Sequence, residues 1–166
     1  IKPNITQSKL LFSTIKAFNH AINACLEYGW NNRTTSMKKI HDATYYSLKE
    51  KTKLPADVLI QARQKACEIL KSCYQRNKRG KKALKPYSQN CPIRYNYKSS
   101  KIDFTKNIVS LSTLKGRIKI PIKLSDFHKQ FINGKYCSSD LIYRNNKWFL
   151  NITLEFFDIK INKVND

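Results

Sequence analysis

The spacing of apolar residues changes along this chain, and that change predicts an α+β fold. In a first stretch, over about residues 6–30, five apolar residues recur at intervals of four, three, four and three: Leu11, Ile15, Phe18, Ile22 and Cys25. These intervals place all five on one stripe of a helix. The same period continues over about residues 36–51 and 55–76. The first half therefore predicts three amphipathic helices that bury a small bundle core.

The second half alternates with a period of two, which predicts short antiparallel strands. After an Asn145-Asn146 turn, every second residue from Trp148 to Phe156 is apolar, and asparagine tolerates the positive φ angles of a tight hairpin turn. Further strands are predicted near residues 93–97, 101–104, 109–112, 117–122 and 141–144, with a short helix or turn at 125–132. Strands this short and numerous favour a small antiparallel β-barrel over an open sheet.

The net charge predicts the kind of partner. The chain has 166 residues, with 32 lysines and arginines against 11 acidic residues and a net charge of +21. Such a surplus predicts a polyanionic partner, and nucleic acid is favoured over an anionic membrane surface, which stays the alternative. The sequence has no run of the ~20 apolar residues that span a membrane, and its first residues lack a secretory signal pattern.

A basic linker marks the predicted domain boundary. Residues 76–85 contain six cations around a glycine, and the composition changes there from helical to strand-like. We therefore predict a helical domain with its basic linker over residues 1–85 and a β domain over residues 86–166.

The cysteines and acidic residues predict neither a metal site nor a catalytic site. The five cysteines include no C-x-x-C pair, which is typical of reduced thiols in a cytoplasmic protein. Metal-assisted phosphodiester cleavage needs two or three converging carboxylates. The acidic residues of the second half instead stand singly: Asp103, Asp126, Asp140, Glu155 and Asp158. We therefore expect this chain to have no catalytic activity, cofactor or small-molecule substrate.

Five segments resemble one protein family, in the same order along the chain. They are PNITQSKLL, LPADVLIQARQKACEILKSCY, PIRYNYKSSKIDF, IVSLSTLKGRIKIPI and GKYCSSDLIYRNNKWFLNITLE. Over nearly its whole length the chain is similar to the amino-terminal part of the transposon-associated TnpB (OrfB) proteins. These are compact RNA-guided DNA nucleases related to the type V CRISPR effectors.

The resemblance implies a wedge domain, an oligonucleotide-fold-like β-barrel, with a helical recognition domain inserted after its first strand. It also implies binding of the guide RNA scaffold and of target DNA beside a transposon-adjacent motif. Cleavage in the family belongs to a magnesium-dependent RuvC-like domain, which we expect downstream of this chain. The family's first wedge strand would precede residue 1, so we expect an incomplete barrel edge. A stand-alone basic DNA- or RNA-binding regulatory protein derived from such a nuclease is the alternative.

Two groups of residues in the helical part are candidate contacts. Those that match where the family's recognition helix approaches the DNA motif are Tyr46, Gln61, Arg63, Gln64 and Lys65. Glutamine can pair with adenine and arginine with guanine. Contacts to phosphates are expected from Arg76, Lys78, Arg79, Lys81 and Lys82. A solvated helix face and a solvated basic linker are the respective alternatives.

The stretch 94–123 is the candidate RNA-binding part of the β domain. On its last strand Arg117 and Lys119 face away from the alternating isoleucines, and upstream aromatic residues interleave with cations, a mixture that suits phosphates and stacked bases. The expected contacts to scaffold RNA, including two beside the last turn, are Arg94, Tyr95, Lys98, Lys115, Arg117, Lys119, Arg144 and Lys147. An ordinary half-buried strand is the alternative for this stretch.

Overall fold

A computed structural model of the chain describes residues 1–156 and has the predicted α+β class. The helices are α1 (Ile5–Asn31), α2 (Met37–Thr52), α3 (Ala56–Lys78) and the single-turn α4 (Asp126–Lys129). The strands are β1 (Ile93–Asn96), β2 (Ser100–Asp103), β3 (Ile108–Thr113), β4 (Gly116–Pro121), β5 (Lys135–Arg144) and β6 (Lys147–Glu155). The α+β prediction is confirmed, and the division into two domains stays a prediction.

The first helix forms where the sequence predicted it, because its apolar stripe packs into the core. Of the five stripe residues one is half-buried and four are buried: Leu11, Phe18, Ile22 and Cys25. The helix begins at a reciprocal cap, in which Gln7 N–H donates to Asn4 Oδ1 at 2.8 Å and Asn4 N–H donates to Gln7 Oε1 at 3.0 Å. This capping box satisfies N–H groups that have no partner inside the helix. Among the described helices, none combines the length and apolar composition needed to cross a membrane.

The strands form two three-stranded antiparallel sheets that do not close into a barrel. Their strand orders are β1-β5-β6 and β2-β3-β4, so β4 and β6 are edge strands. The first two residues lie at the gap between these edges. Lys2 N–H donates to the carbonyl oxygen of Pro121 at 2.9 Å, and the Ile1 amino group donates to that of Trp148 at 3.2 Å. Within residues 1–156 no strand of one sheet pairs with a strand of the other, so the predicted barrel is not closed.

The side chain of Asn19, in the middle of α1, forms hydrogen bonds with the segment that leads into β1. Its side chain is 4% exposed, and its Nδ2 donates to the carbonyl oxygens of Ile15 at 3.0 Å and Cys91 at 3.1 Å. Its Oδ1 accepts from Cys91 N–H at 2.8 Å and from Ser88 Oγ at 2.6 Å. The amide thus uses its full hydrogen-bonding capacity inside the protein and fixes where the chain enters the first sheet.

Replacing Asn19 by alanine should lower the free energy of unfolding by about 2–3 kcal/mol, because the Cys91 N–H and the Ser88 hydroxyl lose their partners. Urea unfolding followed by circular dichroism measures the change. Lys16→Ala, at an exposed position of the same helix, is the control and should stay within about 0.5 kcal/mol of the parent. Equal stability of the two variants would contradict the role of Asn19.

Candidate nucleic-acid interface

One face of the β2–β3–β4 sheet carries three polar side chains that come from three different strands. The register pairs Lys101 with Ser110 and Ser110 with Lys119, so these residues lie side by side across the sheet. Neighbouring strands are about 4.8 Å apart, which separates the two lysine backbones by about 10 Å with the serine between them. We call Lys101, Ser110 and Lys119 the basic row.

The basic row is supported by an apolar layer on the opposite face of the same sheet. Val109, Leu111 and Ile120 are fully buried there, whereas both lysines of the row are exposed. The alternation predicted for β4 is therefore confirmed. An open groove of about 730 Å³ runs over the row, and all three of its side chains line that groove.

The lysines of the basic row form no ion pair within residues 1–156, although Lys106, which lines the same groove, pairs with Asp103. Within residues 1–156, the cations that form ion pairs are Lys38, Lys85, Arg94, Lys106, Lys129 and Lys135. Lys101, Lys115 and Lys119 are not among them. The Arg117 Nη2 donates to the carbonyl oxygen of Lys98, a neutral acceptor that does not compensate its positive charge. The sheet therefore presents a positive surface to solvent.

Arg94, a predicted RNA contact, is paired with carboxylates of this chain. Its Nη1 donates to Glu68 Oε1 on α3 at 2.7 Å, and its Nε lies 3.8 Å from Asp140 Oδ1 on β5. The hydrogen bond to Glu68 raises the pKa of the Arg94 guanidinium above its ordinary value. Two carboxylates compensate this charge, so Arg94 ties α3 to the first sheet and is not free to bind phosphate.

Tyr95 lies in the core, and its predicted place on the RNA-binding surface is wrong. Its side chain is 0% exposed, as is that of Ile93 on the same face of β1. The Tyr95 hydroxyl donates to the carbonyl oxygen of Ser112 at 3.0 Å, and burial raises the pKa of that hydroxyl above its ordinary value. The exposed aromatic residue of the β1–β2 turn is Tyr97, which is not among the predicted RNA contacts.

Arg144 and Lys147 are exposed beside the β5–β6 turn, which belongs to the other sheet. The turn residues Asn145 and Asn146 have φ angles of 49° and 58°, which confirms the predicted tight turn. The Arg144 guanidinium lies 5.0 Å from the ring centroid of Phe149. Both cations are accessible, but they do not extend the basic row.

Gln61, predicted to contact DNA from the polar side of α3, lies in the core instead. It is 7% exposed and follows the buried Val58 by three residues, so it continues the inward stripe of the helix. A buried amide cannot reach the edge of a base, and the predicted surface position of Gln61 is therefore wrong.

The other predicted DNA contacts differ in accessibility. Arg63 is half-buried, its Nη1 contacts Nδ1 of His41, and its Nε has no hydrogen-bond partner within residues 1–156. Gln64 and Lys65 are half-buried, whereas Tyr46 is 77% exposed. Tyr46, Gln64 and Lys65 thus remain candidate contacts, while Arg63 is already engaged by a histidine.

The five cations predicted to bind phosphates are all exposed at the end of α3 and in the turn after it: Arg76, Lys78, Arg79, Lys81 and Lys82. We call residues 76–82 the basic turn. Gly80 has a φ of +73°, which glycine adopts without steric cost. Lys85, just beyond the turn, donates to Glu27 Oε1 at 2.7 Å and places the basic turn near the C-terminal end of α1.

The basic row and the basic turn lie near different ends of α1. The Gln7 Nε2 donates to the carbonyl oxygen of Lys119 at 2.9 Å, whereas Glu27 holds Lys85 at the other end. About twenty helical residues separate these two contacts, which corresponds to about 30 Å along the axis. The structure therefore does not gather the two predicted sets of phosphate contacts into one site.

The carboxylates of the β part are engaged separately. Asp103 lies 3.9 Å from Lys106, Glu155 lies 3.2 Å from Lys135, and Asp126 lies 2.8 Å from Lys129. Asp158 falls outside the described residues. In the part of the chain that the structure describes, no three His, Cys, Asp or Glu side chains are grouped so that they could hold a metal ion. The expectation that this chain is not catalytic stays a prediction.

A distant relative is found by comparison with known proteins. No family model matches the chain. The chain is 31% identical over 148 residues to the uncharacterized protein MJ0857 of Methanocaldococcus jannaschii, in an alignment that covers 76% of this chain and 52% of the relative. The chain thus spans about half the length of that curated relative, whose name gives neither an activity nor a partner.

Proposed function

We propose that this chain binds nucleic acid and that the basic row is its phosphate contact on the β side. The observation that carries the proposal is the row itself, with two exposed ammonium groups and a hydroxyl lining one open groove. The strand register fixes the spacing of the three backbones, and the exposed ammonium groups can reach the oxygen atoms of a phosphate backbone. Lys115 and Arg117 add uncompensated charge to the same sheet.

We further propose that the chain is the non-catalytic amino-terminal part of a TnpB-like RNA-guided DNA nuclease in a prokaryotic cytoplasm. The ordered run of TnpB-like segments supports this proposal. In this proposal, the β part binds the guide RNA scaffold. Helices α2 and α3 contact target DNA through Tyr46, Gln64 and Lys65. Magnesium-dependent cleavage then belongs to a nuclease domain outside these 166 residues.

Binding to RNA should weaken steeply with salt, because each phosphate contact releases condensed counterions. For six to ten contacts the affinity for an RNA hairpin should fall about 10³-fold or more between 50 and 200 mM salt. Fluorescence anisotropy with a labelled hairpin and a matched DNA duplex measures the slope for both kinds of nucleic acid.

A peptide nucleic acid of the same base sequence is the control for this measurement, because its backbone carries no phosphate. It should not bind at either salt concentration. A flat salt response, or binding to anionic vesicles without binding to RNA or DNA, would remove nucleic acid as the partner.

A further inference from the structure

Tyr97 is an exposed aromatic residue in the turn between β1 and β2. Its side chain is 69% exposed, although burial of an aromatic ring contributes strongly to folding. Tyr95, two residues earlier, fills the core instead. The ring of Tyr97 therefore does little for the core and is available to an external partner.

The turn that carries Tyr97 is fixed by several hydrogen bonds. The Asn96 Oδ1 accepts from Lys98 N–H, Ser99 N–H and the Ser99 hydroxyl, each at 3.0 Å. The Ser100 hydroxyl donates to the Asn96 carbonyl oxygen at 2.9 Å. Because the residues on both sides of Tyr97 are held, binding a partner costs little ordering of the backbone.

Cations that belong to the proposed interface adjoin the same turn. Lys98 Nζ lies 5.9 Å from the ring centroid of Tyr97, and Arg117 on β4 donates to the carbonyl oxygen of Lys98. Lys119 of the basic row follows Arg117 by two residues on that strand, so the two side chains lie on the same face. A nucleic-acid strand whose phosphates contact Arg117 and Lys119 therefore passes beside the β1–β2 turn.

We infer that Tyr97 stacks on an unpaired base of the nucleic acid whose phosphates lie on the basic row. The inference rests on the proposed function and adds the class of ligand, which is a strand with an unpaired nucleotide next to a phosphate contact. Stacking on an aromatic ring tolerates every base because every base has a π face. Tyr97 therefore contributes affinity without reading sequence.

The experiment compares two RNA duplexes with the same number of phosphates, one fully paired and one with three unpaired nucleotides. Tyr97→Ala should lower the affinity for the second duplex about tenfold and leave that for the paired duplex unchanged. Tyr97→Phe keeps the ring and should bind both ligands as the parent chain does. 2-Aminopurine at an unpaired position should lose its fluorescence on binding to the parent chain but not to Tyr97→Ala.

Tyr87→Ala is the matched control, because the Tyr87 side chain is also well exposed, at 78%, but lies outside the β1–β2 turn. It should bind both duplexes normally. If Tyr97→Ala lowers both affinities equally, or quenches 2-aminopurine as the parent does, stacking is overturned while salt-dependent binding still supports the proposed function. If the parent chain binds neither duplex, the proposed function fails and this inference fails with it.

Discussion

The double variant Lys101→Glu and Lys119→Glu should bind an RNA hairpin about a hundredfold or more weakly than the parent at physiological salt. Each substitution removes an attraction to phosphate and adds a repulsion at the same place. Both side chains are exposed and the opposite face of the sheet is buried, so the fold should be unchanged. The slope of affinity against salt should also fall by about two, one for each lost phosphate contact.

A matched control separates the basic row from the effect of total charge. Lys9→Glu combined with Lys16→Glu changes the net charge by the same amount, at exposed positions of α1. Seven residues apart on a helix, these side chains lie on one face, opposite to the face on which Gln7 meets Lys119. The control should lose only a few-fold in affinity. An equal loss in both double variants would show that net charge, and not the row, determines binding.

Tyr95→Ala should destabilise the protein by about 3–5 kcal/mol, because it removes a fully buried aromatic ring and leaves a cavity. A domain of this size has a free energy of unfolding of about 5–15 kcal/mol, so this loss is a large fraction of the total and should lower the melting temperature by about 6–20 °C. Thermal unfolding followed by circular dichroism measures the loss.

Tyr95→Phe tests the position of this residue without emptying the core. It should cost about 1 kcal/mol, since the hydroxyl no longer donates to Ser112 while the ring still fills its place. Its affinity for RNA should equal that of the parent. Tyr97→Phe, at an exposed position, is the matched control and should leave stability unchanged. Weaker RNA binding by Tyr95→Phe at unchanged stability would place Tyr95 at the interface after all.

The contrast between Tyr95 and Tyr97 shows what a local pattern cannot determine. Both belong to one run of aromatic residues and cations, and β1 contains only four residues, which is too few to reveal its inward face by alternation. The pairing of β1 with β5, in which Tyr95 lies opposite Ser139, determines which face of β1 points into the core. Strand pairing is a tertiary contact, so the residues of β1 alone did not specify it.

Arg94 and Gln61 illustrate the same limit for charge and polarity. The sequence shows how many cations there are, but only the fold brings Arg94 to Glu68, 26 residues away, where a carboxylate compensates its charge. Gln61 is polar, yet its position on the helix places it with the buried stripe. In both cases the residue type predicted a contact with nucleic acid, but tertiary contacts within the protein engage or bury the side chain.

The sequence by itself determined the elements whose pattern is long and local. The stripe of α1, the alternation of β4 and the Asn145-Asn146 turn were predicted correctly, because 3.6-residue and two-residue periods express burial of one face directly. The net charge predicts a polyanionic partner, and that stays a prediction. Which cations lie next to each other was determined only by the tertiary structure. Lys101, Ser110 and Lys119 are neighbours because two turns set the register of three strands, and hydrogen bonds between strands determine that register.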